Sequence, residues 1–378
     1  MEDVFILGGL RSHIGLKNGI FQCVQPELLG AKVLKHLIEK YEIDKIDEII
    51  CGNAVGTGGN IARLMTLTAG IESEVPAFTV DMQCASAMMS LDIAFSKIKS
   101  GQCDLIIAGG FESSSLQPMR TYHKNDKRYN INNPSYAVAQ FSPDDNSENS
   151  MLEGAERVAK LYKIEKAELD YWVKESHRRA KNTREEKFLE DIISPIDSNT
   201  YDEGIRDKMS QRLLDRIPSI LGKGSITNAA NACLINDGAS FLILCSKRYL
   251  ETTKKNPKAK VINSCTIGTE PHLSPTSAMK AMERILEIEK LNYMDISAIE
   301  FNEAFAVIDV LFQRKYPALI DRYNIFGGAL AYGHPYGASG AIIALHLLKA
   351  LEKNNGRYGI CSIAAAGGLG SALLIERV

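Results

Sequence analysis

The chain has 378 residues with a formal net charge of −2, and 45% of its residues are hydrophobic and 24% charged. This is the composition of a soluble globular protein, and the length allows two or three domains around a sizeable core. The near-zero charge gives no reason to expect nucleic acid or a membrane surface as a partner, and no apolar run is long enough to span a bilayer.

The cysteines and the N-terminal residues indicate the cellular compartment, and the cysteine spacing also indicates whether a metal is bound. The eight cysteines are scattered without a CxxC pair, which argues against a disulfide framework and against a zinc site. The first residues form a strand-like run and lack the basic and apolar segments of a signal peptide. We therefore predict a reduced, cytoplasmic protein that binds no metal.

The first part of the chain alternates short apolar runs with stretches of helical periodicity. This alternation predicts a mainly parallel sheet that is covered by helices on both faces. The glycine-rich loop at 52–59 fits neither a dinucleotide fingerprint nor a Walker loop. The predicted strands cover residues 4–9, 48–52, 77–80 and 105–110, and the predicted helices cover 26–41 and 61–69 and begin again near 88.

Cys84 lies where an apolar strand turns into a helix. Downstream of it, Met88, Leu91, Phe95 and Ile98 have the spacing of one helical face. A helix N-terminus directly behind the sulfur would stabilise a thiolate and lower the pKa of Cys84, which would make it a nucleophile. The alternative is that Cys84 is a small buried hydrophobic residue.

The character of the sequence changes after Ser115. Residues 116–216 begin with a polar, irregular stretch and contain two predicted helices, and we interpret them as an insertion or lid. Residues 217–248 return to a buried strand that would complete the unit formed by 1–115, and 249–378 form a second unit. Within these parts the predicted helices are 151–161, 166–181, 277–288 and 340–351, and the predicted strands are 239–245, 261–268, 298–301 and 358–365.

The second unit repeats the plan of the first. The turn that contains Cys84 and the turn that contains His334 are each followed by a helix, a short loop and a strand that ends in Gly-Gly. This pattern indicates an internal duplication. In a pair of such units related by a pseudo-twofold axis the two turns would face each other, so that Cys84 and His334 would meet.

A cysteine and a histidine brought together in this way form a nucleophile and base pair. His334 would take the thiol proton and then serve in proton transfer or oxyanion stabilisation. Asn302, at a strand end, could hold a water or donate to an oxyanion, although it could also be a simple turn residue. The Gly-Gly pairs at 327–328 and 367–368 permit main-chain amides to line an oxyanion hole. These residues together predict covalent acyl transfer.

Four motifs in order resemble the thiolase family: QCASAMMSL around Cys84, NEAFAV from Asn302, GGALAYGHPYGASG around His334, and the C-terminal GGLGSALLIERV. The resemblance covers nearly the whole chain and implies an α/β thiolase fold. This fold has two duplicated αβαβα halves with mixed five-stranded sheets and a loop domain, in a homodimer or homotetramer. It also implies acyl-coenzyme A (acyl-CoA) substrates, with Cys84 acylated, His334 activating it, Asn302 fixing a water, and the amides of Cys84 and Ala366 forming an oxyanion hole. Coenzyme A is then a substrate, and no permanently bound cofactor is implied.

The chain departs from the family pattern at several positions. Thiolases carry a second reactive cysteine in a CxGGxG motif, where this chain has Ala364, and a glycine of that motif is Ala366. Cys361 is a poor substitute, because its odd offset from Ala364 points it to the opposite face of the strand. Cys233 stands where the coenzyme-binding motif has serine, and His272 lies in the loop that usually contains GxGP, which makes it an alternative base.

Three functions therefore stay open. The first is thiolysis or condensation of 3-ketoacyl-CoA by a thiolase in which water, His334 or His272 replaces the second cysteine. The second is transfer of the acyl group from Cys84 to an amine, alcohol or carrier thiol. The third is a non-enzymatic protein that binds acyl-CoA.

Overall fold

The structure is a computed structural model, and it describes residues 2–143, 147–197 and 201–378. In the first unit the elements follow the predicted alternation of strands and helices. They are β1 (Val4–Arg11), β2 (Gly15–Leu16), α1 (Pro26–Tyr41), β3 (Glu48–Gly52), α2 (Ile61–Thr68), β4 (Ala77–Val80), α3 (Ser86–Lys99) and β5 (Leu105–Ser113).

The insertion is mostly irregular and helical, and the chain leaves it through a long strand. Its elements are β6 (Arg120–Thr121), β7 (Ser135–Tyr136), α4 (Ser150–Leu161), α5 (Lys166–Glu185), a 3-10 turn (Glu190–Ile192) and α6 (Gln211–Leu214), followed by β8 (Asn236–Ser246) and α7 (Lys247–Thr253). Because β8 pairs with both β1 and β5, the chain returns to the first sheet after the insertion, as predicted.

The second unit again alternates strands and helices. Its elements are β9 (Ala259–Gly268), a 3-10 turn (Pro271–Thr276), α8 (Ser277–Glu289), a 3-10 turn (Tyr293–Asp295), β10 (Ile296–Phe301), α9 (Ala306–Lys315), a 3-10 turn (Pro317–Arg322), α10 (Ala329–Tyr332), α11 (Ser339–Lys353), β11 (Tyr358–Ala365) and β12 (Leu369–Arg377). The strand β12 and the helix α9 were not among the predicted elements.

The strands join edge to edge in the order β10-β11-β12-β9-β1-β8-β5-β3-β4. β3 pairs in parallel with β4 and β5, and β10 pairs in parallel with β11, whereas the other neighbours in this order are antiparallel. The sheet is therefore mixed, and the expectation of a mainly parallel sheet was wrong. The physical reason is clearest at β11 and β12, which are joined by a tight turn that allows only antiparallel pairing.

The sheet order repeats between the two units. Read outwards from the junction, β1-β8-β5-β3-β4 corresponds to β9-β12-β11-β10, and an isolated parallel bridge between Ile299 and Tyr323 lies at the place of β4. The two runs meet through a short antiparallel pairing of β1 with β9. The duplication inferred from the sequence is thus a property of the fold.

The helices α3 and α11, which occupy equivalent places in the two units, pack against each other. Their contact is close at Gly340, where a Cβ atom would lie 2.3 Å from the backbone nitrogen of Met88. Cys84 immediately precedes α3, and His334 precedes α11. This packing therefore places the two turns of interest at the same end of the helix pair.

The described residues offer neither a membrane-spanning helix nor a cluster of metal ligands. In the described ranges no helix has the length and apolarity needed to cross a membrane. The same ranges contain no group of three or more His, Cys, Asp or Glu side chains placed to hold a metal ion.

Candidate active site

Cys84 lies in the turn between β4 and α3, as the sequence predicted. Gln83, directly before it, has a left-handed backbone with φ +51°, which turns the chain sharply. The hydroxyl of Ser86 donates to the carbonyl of Gln83 at 2.6 Å and accepts from the amide of Met82 at 2.9 Å. These bonds close the turn that contains Cys84.

The electrostatics of the Cys84 sulfur differ from the prediction. Burial of the sulfur raises the pKa of Cys84 to about 12, although the backbone amides of Ala366 and of Cys84 itself donate to the sulfur and act in the opposite direction. The expected low pKa was therefore wrong, because loss of water around the thiolate outweighs the nearby donors. At neutral pH Cys84 is a thiol, and its reaction needs a base.

His334 has the protonation state that such a base requires. Burial lowers the pKa of His334 to about 3, so the imidazole is neutral at physiological pH. Its Nδ1 lies 2.6 Å from the hydroxyl of Ser339, which itself donates to the carbonyl of Pro335 at 3.0 Å. With the Ser339 proton donated to Pro335, we assign the imidazole hydrogen to Nδ1, which leaves Nε2 as the unprotonated nitrogen.

Asn302 faces that unprotonated nitrogen. Its amide nitrogen lies 3.3 Å from Nε2 of His334 and donates to it. The residue follows β10 directly and is fixed by a hydrogen bond from its backbone amide to the carbonyl of Ser362 at 3.0 Å. The two residues predicted to share a site are thus in contact, and both are buried.

The segment 231–236, here called the strap, holds the Asn302 loop and the His334 turn together. The amide of Cys233 donates to the carbonyl of Ala304 at 2.9 Å, and the amide of His334 donates to the carbonyl of Leu234 at 3.2 Å. Asn236 also accepts from the amide of His334, at 2.9 Å. Sequence reasoning did not predict this role for Asn236, since nothing local relates it to a turn almost a hundred residues away.

Gly333 shows why the His334 turn needs a glycine. Its φ is +101°, and a Cβ atom there would lie 2.1 Å from the side-chain oxygen of Asn236. A larger residue would strain the backbone and displace the strap.

Two further residues of the site were missed in the sequence. The ring of Tyr336 lies perpendicular to the imidazole of His334, with ring centroids 4.9 Å apart, and a thiolate at Cys84 or Cys233 would raise its pKa. Glu112, at the end of β5, accepts hydrogen bonds from the amides of Ala54 and Gly337, and burial raises its pKa to about 7. The only available signals were the position of Tyr336 two residues after His334 and an acidic residue at the end of an apolar strand.

Ala364, at the position of the second cysteine motif, and Cys361 lie on opposite faces of β11. Ala364 packs into the core cluster that also contains Ala304 and Phe305, whereas Cys361 packs into the cluster on the other side of the sheet. Burial, and then the charge of Glu300, raise the pKa of Cys361. The opposite orientation predicted for Cys361 is confirmed.

His272, the alternative base, lies on the 3-10 turn that follows β9. That turn packs beside the Ala366 turn, where the amide of Gly368 donates to the hydroxyl of Ser274 at 2.9 Å. The His272 ring is half-buried, and its Nδ1 lies 3.3 Å from the guanidinium of Arg157 on α4. This contact turns the ring towards the insertion.

Comparison with family models covers almost the entire chain. Residues 4–248 match the model described as thiolase, N-terminal domain, and residues 255–377 match thiolase, C-terminal domain. The chain belongs to the thiolase family. The two matched ranges meet between β8 and β9, where the two duplicated units also meet.

Relatives of this thiolase match it over their full length. "Putative acetyl-CoA C-acetyltransferase VraB" of Staphylococcus epidermidis (strain ATCC 12228 / FDA PCI 1200) is 32% identical over 100% of this chain and 99% of the relative. "Putative acetyl-CoA C-acetyltransferase YhfS" of Bacillus subtilis (strain 168) is 33% identical over 99% of each chain. The crystal structure of the Bacillus anthracis acetyl-CoA acetyltransferase superposes with a TM-score of 0.93 at 26% identity, covering 100% of this chain and 99% of the other. The thiolase fold predicted from the motifs is confirmed.

Proposed function

We propose that this thiolase is an acyltransferase that acts on acyl-CoA through a thioester formed at Cys84, and that its reaction is thiolysis or condensation of 3-ketoacyl-CoA and acetyl-CoA. The observation that carries the proposal is the neutral His334, whose Nε2 is unprotonated and whose Nδ1 is held by Ser339. Relatives named as acetyl-CoA C-acetyltransferases support coenzyme A thioesters as the substrates.

Acylation requires proton transfer that is coupled to attack. The pKa of Cys84 is about 12 and that of His334 about 3, so the resting pair stays neutral. The thiol proton moves to Nε2 as the sulfur bonds to the substrate carbonyl, and the amides of Cys84 and Ala366 donate to the oxyanion that develops. Asn302 would orient a water or the substrate carbonyl beside Nε2.

The proposal also covers the compartment, the area of metabolism, the oligomeric state and the domain bounds of the enzyme. It is a cytoplasmic enzyme of fatty acid metabolism that takes coenzyme A as a substrate and holds no permanent cofactor. It works as a homodimer or homotetramer, a proposal supported by the place of β4 at the end of the sheet order, since an edge strand can pair with another chain. The domain bounds 1–115 with 217–248, 116–216 and 249–378 are part of the same proposal.

A second candidate is transfer of the acyl group to an acceptor other than coenzyme A. It is favoured by Ala364, which cannot supply the acid or base that carbon–carbon bond chemistry needs. A third candidate is a non-enzymatic protein that binds acyl-CoA. It gives no reason for a protonated thiol at Cys84 together with an unprotonated imidazole at His334.

The test is intact mass after brief exposure to acetyl-CoA and to acetoacetyl-CoA, with a parallel assay of acetoacetyl-CoA cleavage. Cys84→Ala should abolish the mass increase, whereas Cys103→Ser, at a half-buried position before β5, should keep it. Acylation with brisk cleavage supports the thiolase reaction, and acylation without cleavage supports another acceptor. A chain that takes up neither acyl group contradicts the mechanism.

A further inference from the structure

The proposed cleavage reaction releases a carbanion equivalent that must be protonated. Breaking the bond between C2 and C3 of a 3-ketoacyl-CoA leaves an electron pair on C2, and a positioned acid is needed there. Ala364 has no proton to give, and His334 is the proposed base for Cys84. A different titratable group is therefore needed as the acid.

The strap carries a second thiol, Cys233, next to the Asn302 loop and the His334 turn. Cys233 lies where the strap passes from the Asn302 loop to the His334 turn. Its amide donates to the carbonyl of Ala304, and the carbonyl of the next residue, Leu234, accepts from the amide of His334. The bridge between Ala232 and Phe305 and the bridge between Ile235 and His334 anchor Cys233 on both sides. Its backbone position is thus determined by the same elements that hold the base.

Cys233, Cys84 and Tyr336 are close enough to interact electrostatically. A Cys84 thiolate would raise the pKa of Cys233, and a thiolate at either cysteine would raise the pKa of Tyr336. Cys233 also packs against the core cluster that contains Ala364 and Ala304. Alanine thus stands at position 364, where the thiolase motif has cysteine, and a thiol is present on the strap.

We propose that Cys233 is the catalytic acid and base of the carbon–carbon step, an inference that rests on the proposed thiolysis. His334 takes the proton of Cys84 as its sulfur bonds to C3, and the C2–C3 bond then breaks with its electron pair on C2. Cys233 gives its thiol proton to C2, which releases acetyl-CoA and leaves a Cys233 thiolate.

The second half-reaction restores both groups. The thiol of an incoming coenzyme A gives its proton to the Cys233 thiolate, and the coenzyme A thiolate attacks the acyl group on Cys84. The Cys84 sulfur leaves and recovers its proton from His334. Every proton and electron pair is accounted for, and condensation is the same path in reverse.

The resting state of Cys233 suits the role of an acid. Burial, and then the charge of Cys84, raise the pKa of Cys233, so it is a thiol at neutral pH. The other candidates are less suitable. Both carboxylate oxygens of Glu112 already accept hydrogen bonds, from Asn53, Ala54, Val55 and Gly337.

The experiment compares Cys233→Ala and Cys233→Ser with Cys103→Ser as the matched control. Cys84 acylation is followed by intact mass, acetoacetyl-CoA cleavage by absorbance, and acid–base action at C2 by deuterium entering the methyl group of acetyl-CoA in D2O. With acetyl-CoA as the acyl donor we expect both Cys233 variants to acylate, because the coenzyme A thiolate is a good leaving group and takes its proton from water. Cleavage of acetoacetyl-CoA and deuterium entry should fall by about a hundred- to ten-thousand-fold. Acylation of the variants also reports that they are folded.

Several results would overturn the assignment. Cleavage within about threefold of the unmodified enzyme in Cys233→Ala contradicts it, and loss of cleavage in Tyr336→Phe alone moves the role to Tyr336. An unmodified enzyme that acylates but neither cleaves nor exchanges overturns the role of Cys233 and leaves acyl transfer to another acceptor. An unmodified enzyme that does not acylate refutes the proposed function itself.

Discussion

In the second unit β11 and β12 are joined by a turn of three residues, 366–368, whereas in the first unit the equivalent strands β5 and β8 are separated by the whole insertion. In the tight turn, the amide of Ala366 donates to the sulfur of Cys84. The long connection instead ends in the strap, which contains Cys233 and Asn236 and is hydrogen-bonded to the His334 turn.

The comparison shows how a duplicated fold becomes asymmetric in its chemistry. The two units share strand order and helix packing, and each presents one turn at the start of an equivalent helix. One turn carries a thiol and the other a neutral imidazole, and each is completed by the connection from the opposite unit. The two units thus differ in the segments that connect equivalent strands, whereas the order of their strands is the same.

The largest expected effect comes from removing the base that distinguishes the second turn. His334→Ala should lower the rate of Cys84 acylation by about a hundred- to ten-thousand-fold, because the neutral thiol then has no proton acceptor. In the unmodified enzyme His334 stays unprotonated down to about pH 3, so the acylation rate should show no loss of this base between pH 5 and 8. Stopped-flow acylation across this pH range tests both statements, and a rate that falls as a histidine protonates near pH 6.5 would contradict the assigned state.

A smaller loss of acylation rate is expected from substitutions of Ala366 in the tight turn. Ala366→Pro removes the amide that faces the Cys84 sulfur, and loss of one oxyanion donor typically costs about a hundred- to a thousand-fold in rate. Ala366→Gly retains that amide and should lose far less. Equal losses in the two variants would mean that the amide has no role in acylation.

The packing of the two equivalent helices can be tested at the contact of α3 with α11. Gly340→Ala should destabilise the protein by about 1–3 kcal/mol, because the added methyl meets the backbone of Met88. Gly268→Ala is the matched control, since a Cβ atom there has no neighbour within 4 Å. Urea unfolding measures both, and similar stabilities of the two variants would argue against a tight helix contact.

The smallest expected effect concerns a buried histidine on α11. Burial, and then the charge of Arg11, lower the pKa of His346 to about 3. Neutral His346 therefore contributes stability that is present above about pH 6.5, the unfolded value, and is lost as the pH falls towards 3. His346→Phe should flatten the fall in melting temperature over this range, and an unchanged pH profile would show that His346 does not cause it.

Several secondary structure elements were predictable because their signals are local. The bounds of α1, β3, β4 and β11 agree with the predicted residues 26–41, 48–52, 77–80 and 358–365, where periodicity and flanking turn residues act over a few positions. The duplication and the turn at Cys84 were also visible, because they are patterns of order along the chain. Of the candidate site, the orientation of Cys361 followed from the two-residue period of a strand.

Other properties arise only when distant segments meet. The direction of β8 depends on where the insertion returns, and the strap joins Asn236 to a turn with which it shares no local pattern. The raised pKa of Cys84, the lowered pKa of His334 and the burial of Glu112 depend on how much water the folded chain excludes. The sequence by itself determined which groups could react and where along the chain they lie. Only the tertiary structure decided their protonation states and partners, because desolvation is a property of the packed interior and of no single segment.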